Sequence, residues 1–311
     1  MAFPDRAADH VRDDDNGKPA TDKPDSCDDL PMVPAEHDRR STAFTAASVP
    51  ENYQQRLAPV IFEPWARILL DAVGVSAGDQ VLDVACGTGV VARRAAERAA
   101  GTGRVVAADV SEAMLGFAAA VPVPDGAAPV EYVRASADEL PFADATFDAV
   151  TCQQGLQFFG ERAAAAQEMR RVVRPGGVVG VAVWADGHRL EPFDDYAEAL
   201  AAAGVEPPFP GAFTHASFVM GTDEVRALLR SAGFSDVDVS VVDHVTVWPD
   251  AESAASGILG SPFGPVLNGL VPERRNEVQA ELLRRFGAGG HGGPVRRTMT
   301  AVIARATAAP A

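Results

Sequence analysis

Apolar positions along this chain follow two rhythms. Short runs of Val, Ala and Ile, bounded by Gly, Pro or Asp, alternate with longer stretches where apolar residues recur every three to four positions. Phe62, Trp65, Leu69 and Ala72 keep the helical spacing, and Gly74 stops it. The pattern then predicts a strand over 80–84, a helix over 90–100 stopped by Gly101, and a second strand over 104–108. Ser111 is placed to cap the helix that follows. Residues 130–134 and 147–152 predict a third and a fourth strand, and 161–173 a helix. Pro175-Gly176-Gly177 is read as a turn into a fifth strand over 178–184. Apolar strands alternating with helices predict an α/β class: a doubly wound, mostly parallel, Rossmann-like sheet covered on both faces, with an antiparallel strand at one edge.

The last third changes character. Residues 185–235 are long for one crossover and predict a helical cap inserted late in the chain, with a helix over 223–229 ended by Gly233. Val237, Val239, Val241, Val245 and Val247 alternate with polar residues, as in a half-exposed strand that leaves Ser240, His244 and Thr246 on the polar face. A helix over 272–286 and a final strand over 298–306 follow. The division is a tail over 1–42, leading helices and ligand-binding core over 43–184, the cap over 185–235, and sheet-completing strands with an inserted helix over 236–311. Residues 1–42 mix Asp clusters with prolines, a composition that buries too little apolar area to order itself.

Composition narrows the chemistry. Of 311 residues, 47% are apolar, enough for a sizeable core. A net charge of −16 repels phosphate backbones and anionic lipid, so neither nucleic acid nor a membrane surface is an expected partner. The lysines, Lys18 and Lys23, both lie in the tail. That disfavours Schiff-base and pyridoxal enzymes, P-loop NTPases and reductases that need a core lysine. Cys27, Cys86 and Cys152 lie far apart, with neither a disulfide framework nor zinc spacing. With no apolar leader and no run of about 18 apolar residues, the expected location is the cytoplasm.

The most informative segment runs from Val81 through Asp83 and Cys86 to Gly87-Thr88-Gly89. It is a strand that breaks into Gly-x-Gly and opens a helix. The glycines let the backbone pass close under a ligand, and the helix N-terminus favours a negative group there. Asp109 ends the next predicted strand, where a carboxylate accepts hydrogen bonds from ribose hydroxyls. Gly87 to Ala92 also fits the dinucleotide fingerprint, which keeps an NAD(P)-dependent oxidoreductase open. Against it stands Asp83, which suits a ligand carrying an ammonium group and is unhelpful to a pyrophosphate.

Four motifs occur in order: Val81 to Gly89; Val106 to Leu115; Leu140-Pro141-Phe142 with Phe147-Asp148; and Arg171 to Gly177. Together they resemble class I S-adenosylmethionine-dependent methyltransferases, near the ubiquinone/menaquinone C-methyltransferase-like group that acts on small molecules. The resemblance spans about residues 50–306. It implies S-adenosylmethionine as cofactor, S-adenosylhomocysteine as product, and no metal. It implies that Gly87 and Gly89, with Ala85 and Cys86, underlie the methionine part, that Asp83 orients the ammonium group, and that Asp109 with Val110 holds the ribose. Met114 would pack on the adenine or serve as plain core. Ala137 would donate its backbone N–H to the adenine, and Ser136 stands where relatives often carry Asp. Cys152 and Gln153 would line the methionine moiety. Tyr53 resembles a tyrosine that closes over the sulfonium in some members, and an ordinary surface tyrosine remains the alternative.

For the transfer step the histidines are the natural bases. His188, after the fifth strand, is the first choice, and His215 in the cap the second; both also suit plain loop positions. Gln153, Gln154 and Gln157 cannot act as bases and are placed to orient an acceptor. Thr151-Cys152-Gln153-Gln154 offers no carboxylate for the magnesium of catechol-type enzymes. Phe193, Tyr196, Phe209, Phe213, Phe218, Met220 and Phe263 suggest either a lid over a greasy small molecule or the cap's own core. The expected activity is methyl transfer to a small, largely apolar acceptor, O- or C-methylation favoured, in secondary metabolism. A non-methylating rearrangement on the bound sulfonium, and a protein acceptor docked by the acidic tail, are the other readings.

Overall fold

A computed structural model describes residues 51, 53–207, 218–261, 263–288 and 292–309. The predicted tail, Phe209, Phe213, His215 and His291 lie outside the described residues.

A widely wound helical segment, Tyr53–Phe62, runs directly into helix α1, Glu63–Val73. Gly74, at φ +80°, ends α1 in the left-handed cap that only glycine takes without strain. The chain then alternates: β1 (Gln80–Val84), α2 (Val90–Ala99), β2 (Arg104–Asp109), α3 (Glu112–Ala120), β3 (Val130–Arg134), β4 (Phe147–Gln153), α4 (Arg162–Val172) and β5 (Val173–Trp184). Ser111 does cap α3, its Oγ accepting from Met114 N at 3.3 Å. The last third adds α5 (Glu191–Ala202), α6 (Thr222–Ser231), β6 (Phe234–Trp248), α7 (Ala251–Leu259), α8 (Pro272–Gly287) and β7 (Val295–Ala308).

The sheet has seven strands in the order β3-β2-β1-β4-β5-β7-β6. β1 to β5 pair in parallel, and β7 runs antiparallel to both β5 and β6. The antiparallel strand is therefore inside the sheet, next to its edge, and not at the edge as the pattern suggested. The order reverses at β1, which pairs with β2 on one side and β4 on the other. A crevice must open there beyond the strand C-termini, because the crossovers leave in opposite directions.

Two apolar clusters flank the sheet. One gathers Trp65, Leu69, Leu70, Val91 and Ala95 with Tyr196, Ile258 and Leu282; the other gathers Leu82, Val106, Met169, Val172, Val225 and Leu229.

Two local readings are corrected. β5 begins at Val173, before the glycines: pairing with β4 shifts from Phe147↔Val173 to Ala149↔Val178, so 174–177 bulge out of a strand already under way. A Cβ on Gly177 would stand 2.7 Å from Asp148 O, which explains the glycine inside a strand. In β6 the valine pattern holds at Val237 and Val239, which pack against the core while Asp238 and Ser240 are exposed, and it reverses from Val241 onward. Val241, Val245 and Val247 are exposed, whereas Thr246 and Trp248 are buried and the His244 ring meets the Trp65 edge at 5.7 Å. Trp248 has more apolar area to bury than any of the valines, and it takes its face of the strand with it.

Candidate active site

The cavity opens where the strand order predicts, beyond β1 and β4. Its wall is built from Asp83 in β1 with Ala85 to Thr88, Val90 and Val91 after it, and from Asp109 at the end of β2 with Val110, Ser111 and Met114 after it. Gln153, Gln154, Gly155, Phe158 and Phe159 follow β4, and Tyr53 and Phe62 close it from the leading segment.

The glycine loop is a strained turn held from below. Gly87 and Gly89 have φ +53° and +79°, and Ala85 shares the left-handed region at +56°. Cys86 N donates to Ala108 O at 3.0 Å, which ties the loop to β2. Beneath it lies Arg93, a guanidinium only 7% exposed. It donates to Thr88 O at 2.6 Å and to Gln54 Oε1 at 3.1 Å, so one side chain joins the glycine loop to the segment carrying Tyr53. A Cβ on Gly89 would meet that guanidinium at 2.9 Å.

Two buried carboxylates face the cavity. Asp109 accepts from Gly87 N at 2.8 Å and from Ser111 N at 2.9 Å, and burial still raises its pKa above the ordinary carboxylate value. Asp83 is 1% exposed; its Oδ1 accepts from Thr151 Oγ1 at 3.0 Å, and its Oδ2 has no partner among the described residues. Burial raises its pKa to about 7, although the Thr151 bond pulls the other way. A buried carboxylate with an open oxygen fits a cationic group, and the Asp109 carboxylate on the cavity wall fits the hydroxyls of a ribose. The residues present thus match a sulfonium nucleoside with an ammonium tail.

Beyond Asp109 a second hollow continues the first, sharing Ala85, Asp109, Val110 and Phe159 and adding Ser136, Ala137 and Asp138. Val110 is 54% exposed here, an apolar plank at the rim. Ser136 Oγ donates to the Asp138 carboxylate, which places an acidic group at this hollow.

The opposite wall is aromatic. Tyr53 stacks on Phe62 with centroids 4.5 Å apart, and Phe158 and Phe159 complete it. Burial, then the Asp109 charge, raise the Tyr53 pKa well above the ordinary phenol value, so this hydroxyl stays protonated.

The structure brings most of the sequence-derived residues to one cavity, and leaves some out. Tyr53, Asp83, Ala85, Cys86, Gly87, Asp109, Val110, Met114 and Gln153 line it; Gly89 lies beneath it, and Ser136 and Ala137 line the adjoining hollow. Cys152 does not line it. Its side chain points into the second apolar cluster under the β4 turn, where burial pushes the thiol up to about 12. His188 is exposed and is not part of the cavity wall. Phe193, Tyr196, Phe218, Met220 and Phe263 are buried: Phe193, Phe218 and Phe263 pack edge to face on one another. Phe193, Tyr196, Phe218 and Phe263 belong to the first apolar cluster and Met220 to the second, and the first reaches the cavity through Phe158, whose ring lies 5.6 Å from Phe218. The periodicity reading saw Phe62 only as a helix position, and it passed over Phe158, Phe159 and Arg93. The two phenylalanines directly follow the glutamines that had been noticed.

Among the described residues there is no group of three or more His, Cys, Asp or Glu able to hold a metal, and no helix long and apolar enough to cross a membrane. The carboxylates of α5 are engaged elsewhere: Asp195 pairs with Arg297 at 2.6 Å and Glu191 accepts from Thr298 N at 2.6 Å.

Comparison with known proteins agrees with this geometry. The model of the ubiE/COQ5 methyltransferase family matches residues 46–193. Nocamycin O-methyltransferase from Saccharothrix syringae is 31% identical over 247 residues, 76% of this chain and 88% of that protein. The ubiquinone/menaquinone C-methyltransferase UbiE of Escherichia fergusonii is 41% identical over 114 residues, 36% of this chain and 45% of its own length. In three dimensions the chain resembles Haemonchus contortus phosphoethanolamine N-methyltransferase 2, solved with phosphomonomethylethanolamine and S-adenosylhomocysteine. That likeness has a TM-score of 0.56 and 16% identity, and covers 91% of this chain and 62% of the other. The dinucleotide alternative is thereby set aside, and the chain belongs to the class I S-adenosylmethionine-dependent methyltransferases, similar to the ubiquinone/menaquinone C-methyltransferase group.

Proposed function

We propose that this enzyme methylates a small, largely apolar organic acceptor, on oxygen in preference to carbon or nitrogen, in the making of a secondary metabolite. One observation carries the reading: the carboxylate-lined half of the cavity is continuous with an aromatic half formed by Tyr53, Phe62, Phe158 and Phe159. The nocamycin relative, named for O-methylation of a small molecule and covered over 88% of its length, supports it.

S-adenosylmethionine, when bound, would supply a methyl electrophile on a positive sulfur, held by Asp109, the glycine loop and Asp83, for the lone pair of an acceptor. The protein's own part is placement. Asp109 and the glycine loop fix the nucleoside, and Asp83 Oδ2 offers the open oxygen for an ammonium group. The stacked Tyr53 and Phe62 shield the reacting region from water and give a flat acceptor a face to lie on. Such positioning supplies up to roughly 7–11 kcal/mol of a barrier. The exposed His188 has no part in this reading.

The test is transfer of labelled methyl to a panel of naphthols, cyclic enols, aliphatic alcohols, arylamines and a denatured protein mixture. Label on phenol or enol oxygen is the expected result. Label confined to nitrogen or to protein contradicts the reading.

A further inference from the structure

The end of β4 and the turn after it carry buried side-chain amide atoms without a partner among the described residues. Gln154 is 7% exposed, lines the cavity, and has no hydrogen-bond partner at either side-chain amide atom among the described residues. A buried amide left unpaired costs stability, and a ligand that supplies the missing bonds restores it. The backbone of Gln154 is also strained, at φ +45°. Such conformations gather at ligand sites. At the next residue the approach is close: a Cβ on Gly155 would stand 2.7 Å from Ala85 Cβ and 3.1 Å from Cys152 Sγ. The turn is pressed onto the glycine loop, and the glutamine before it takes up the bend.

Gln153 adds an amide whose sense is fixed. Its Nε2 donates to Phe62 O at 3.1 Å, so the free, buried end is the acceptor Oε1. The cavity therefore presents one oriented acceptor from Gln153, and one donor and one acceptor from Gln154, beside the faces of Tyr53, Phe62, Phe158 and Phe159. Gln157 is equally unpartnered but does not line the cavity and is not part of the set.

We propose that Gln154, with Gln153 Oε1, recognises the acceptor and selects a planar hydroxy-carbonyl compound, a phenol or enol with a carbonyl beside the hydroxyl. This rests on the small-acceptor reading above. The hydroxyl donates to a glutamine oxygen while the carbonyl accepts from Gln154 Nε2. A carboxylate brings only acceptors and sets its charge against Gln153 Oε1. An ammonium group brings only donors and leaves Gln154 Nε2 unpaired. Flat aromatic walls favour a flat frame.

The test is calorimetric titration of the full chain, saturated with S-adenosylhomocysteine, with ortho-hydroxyacetonaphthone, acetonaphthone and naphthoate. The hydroxy ketone binds at least about tenfold more tightly than the other two, and in Gln154→Leu the difference falls below about threefold. Thermal unfolding without ligand gives an independent readout. Leucine removes an unpaired amide, so the midpoint rises, by about 2–4 °C, whereas loss of a structural amide lowers it. Equal affinities, a preference that survives Gln154→Leu, or a lower midpoint overturns the assignment. Absence of S-adenosylhomocysteine binding strikes the cofactor site instead and is seen before any probe is added.

Discussion

Replacing Asp83 by asparagine separates what this side chain does for the ligand from what it does for the fold. The carboxyl is fully buried, keeps one bond from Thr151, and has its pKa raised by burial to about 7. Its titratable surroundings are Asp109, which raises that value, and Arg93, which lowers it; Cys86 lies in the same field. A group with a raised folded-state pKa contributes stability below its unfolded value and loses it as pH rises through the folded one. The ligand-free protein therefore weakens between about pH 4 and pH 7, by a total on the order of 4 kcal/mol for a rise of this size. Asparagine keeps the Thr151 bond without the charge, so Asp83→Asn melts higher than the parent at about pH 8 and matches it near pH 4. Binding moves the other way. An ammonium-bearing ligand needs the ionised form, whose population rises roughly tenfold between about pH 6 and pH 8 for a group of this pKa. Calorimetry should show S-adenosylmethionine affinity rising by up to about that factor in the parent and nearly flat, and weaker, in Asp83→Asn. Equal melting at about pH 8 together with parental affinity would refute the reasoning.

Gly155→Ala forces a methyl group against Ala85 Cβ, 2.7 Å away, and should cost about 1–3 kcal/mol of stability, read by denaturant unfolding. Arg93→Met leaves Thr88 O and Gln54 Oε1 without their donor, so hydrogen exchange over the Tyr53–Phe62 segment should quicken and S-adenosylmethionine binding weaken by about tenfold. Unchanged exchange would remove Arg93 as the link between segment and loop. His188→Ala, altering an exposed side chain off the cavity wall, should leave kcat within about twofold; a drop of a hundredfold would restore it as a base.

The parallel part of the fold was legible because each of its rules is local. The strand over 80–84, the Ser111 cap, the Gly74 stop and the Gly-x-Gly loop each follow from a few neighbouring residues, and the structure repeats them. The antiparallel end was harder. The place of β7 beside β5 depends on pairing across more than a hundred residues, and the buried face of β6 depends on Trp65 and Trp248. The same division holds for the site. Asp83, Gly87 and Asp109 belong to motifs, so spacing exposes them. Arg93, Phe62 and Phe159 are wall or support only because distant segments meet there. The aromatic residues of the cap had two readings, and packing of Phe193, Phe218 and Phe263 on one another favours the core reading.

The central claim is that Asp109 and the glycine loop hold a sulfonium nucleoside. It is tested most directly by titrating the protein and Asp109→Ala with S-adenosylmethionine and with NADPH. The account predicts micromolar binding of S-adenosylmethionine, weakened at least about tenfold (~1.4 kcal/mol) in the variant, and no binding of NADPH. Binding of NADPH alone, or an affinity indifferent to Asp109, would contradict it.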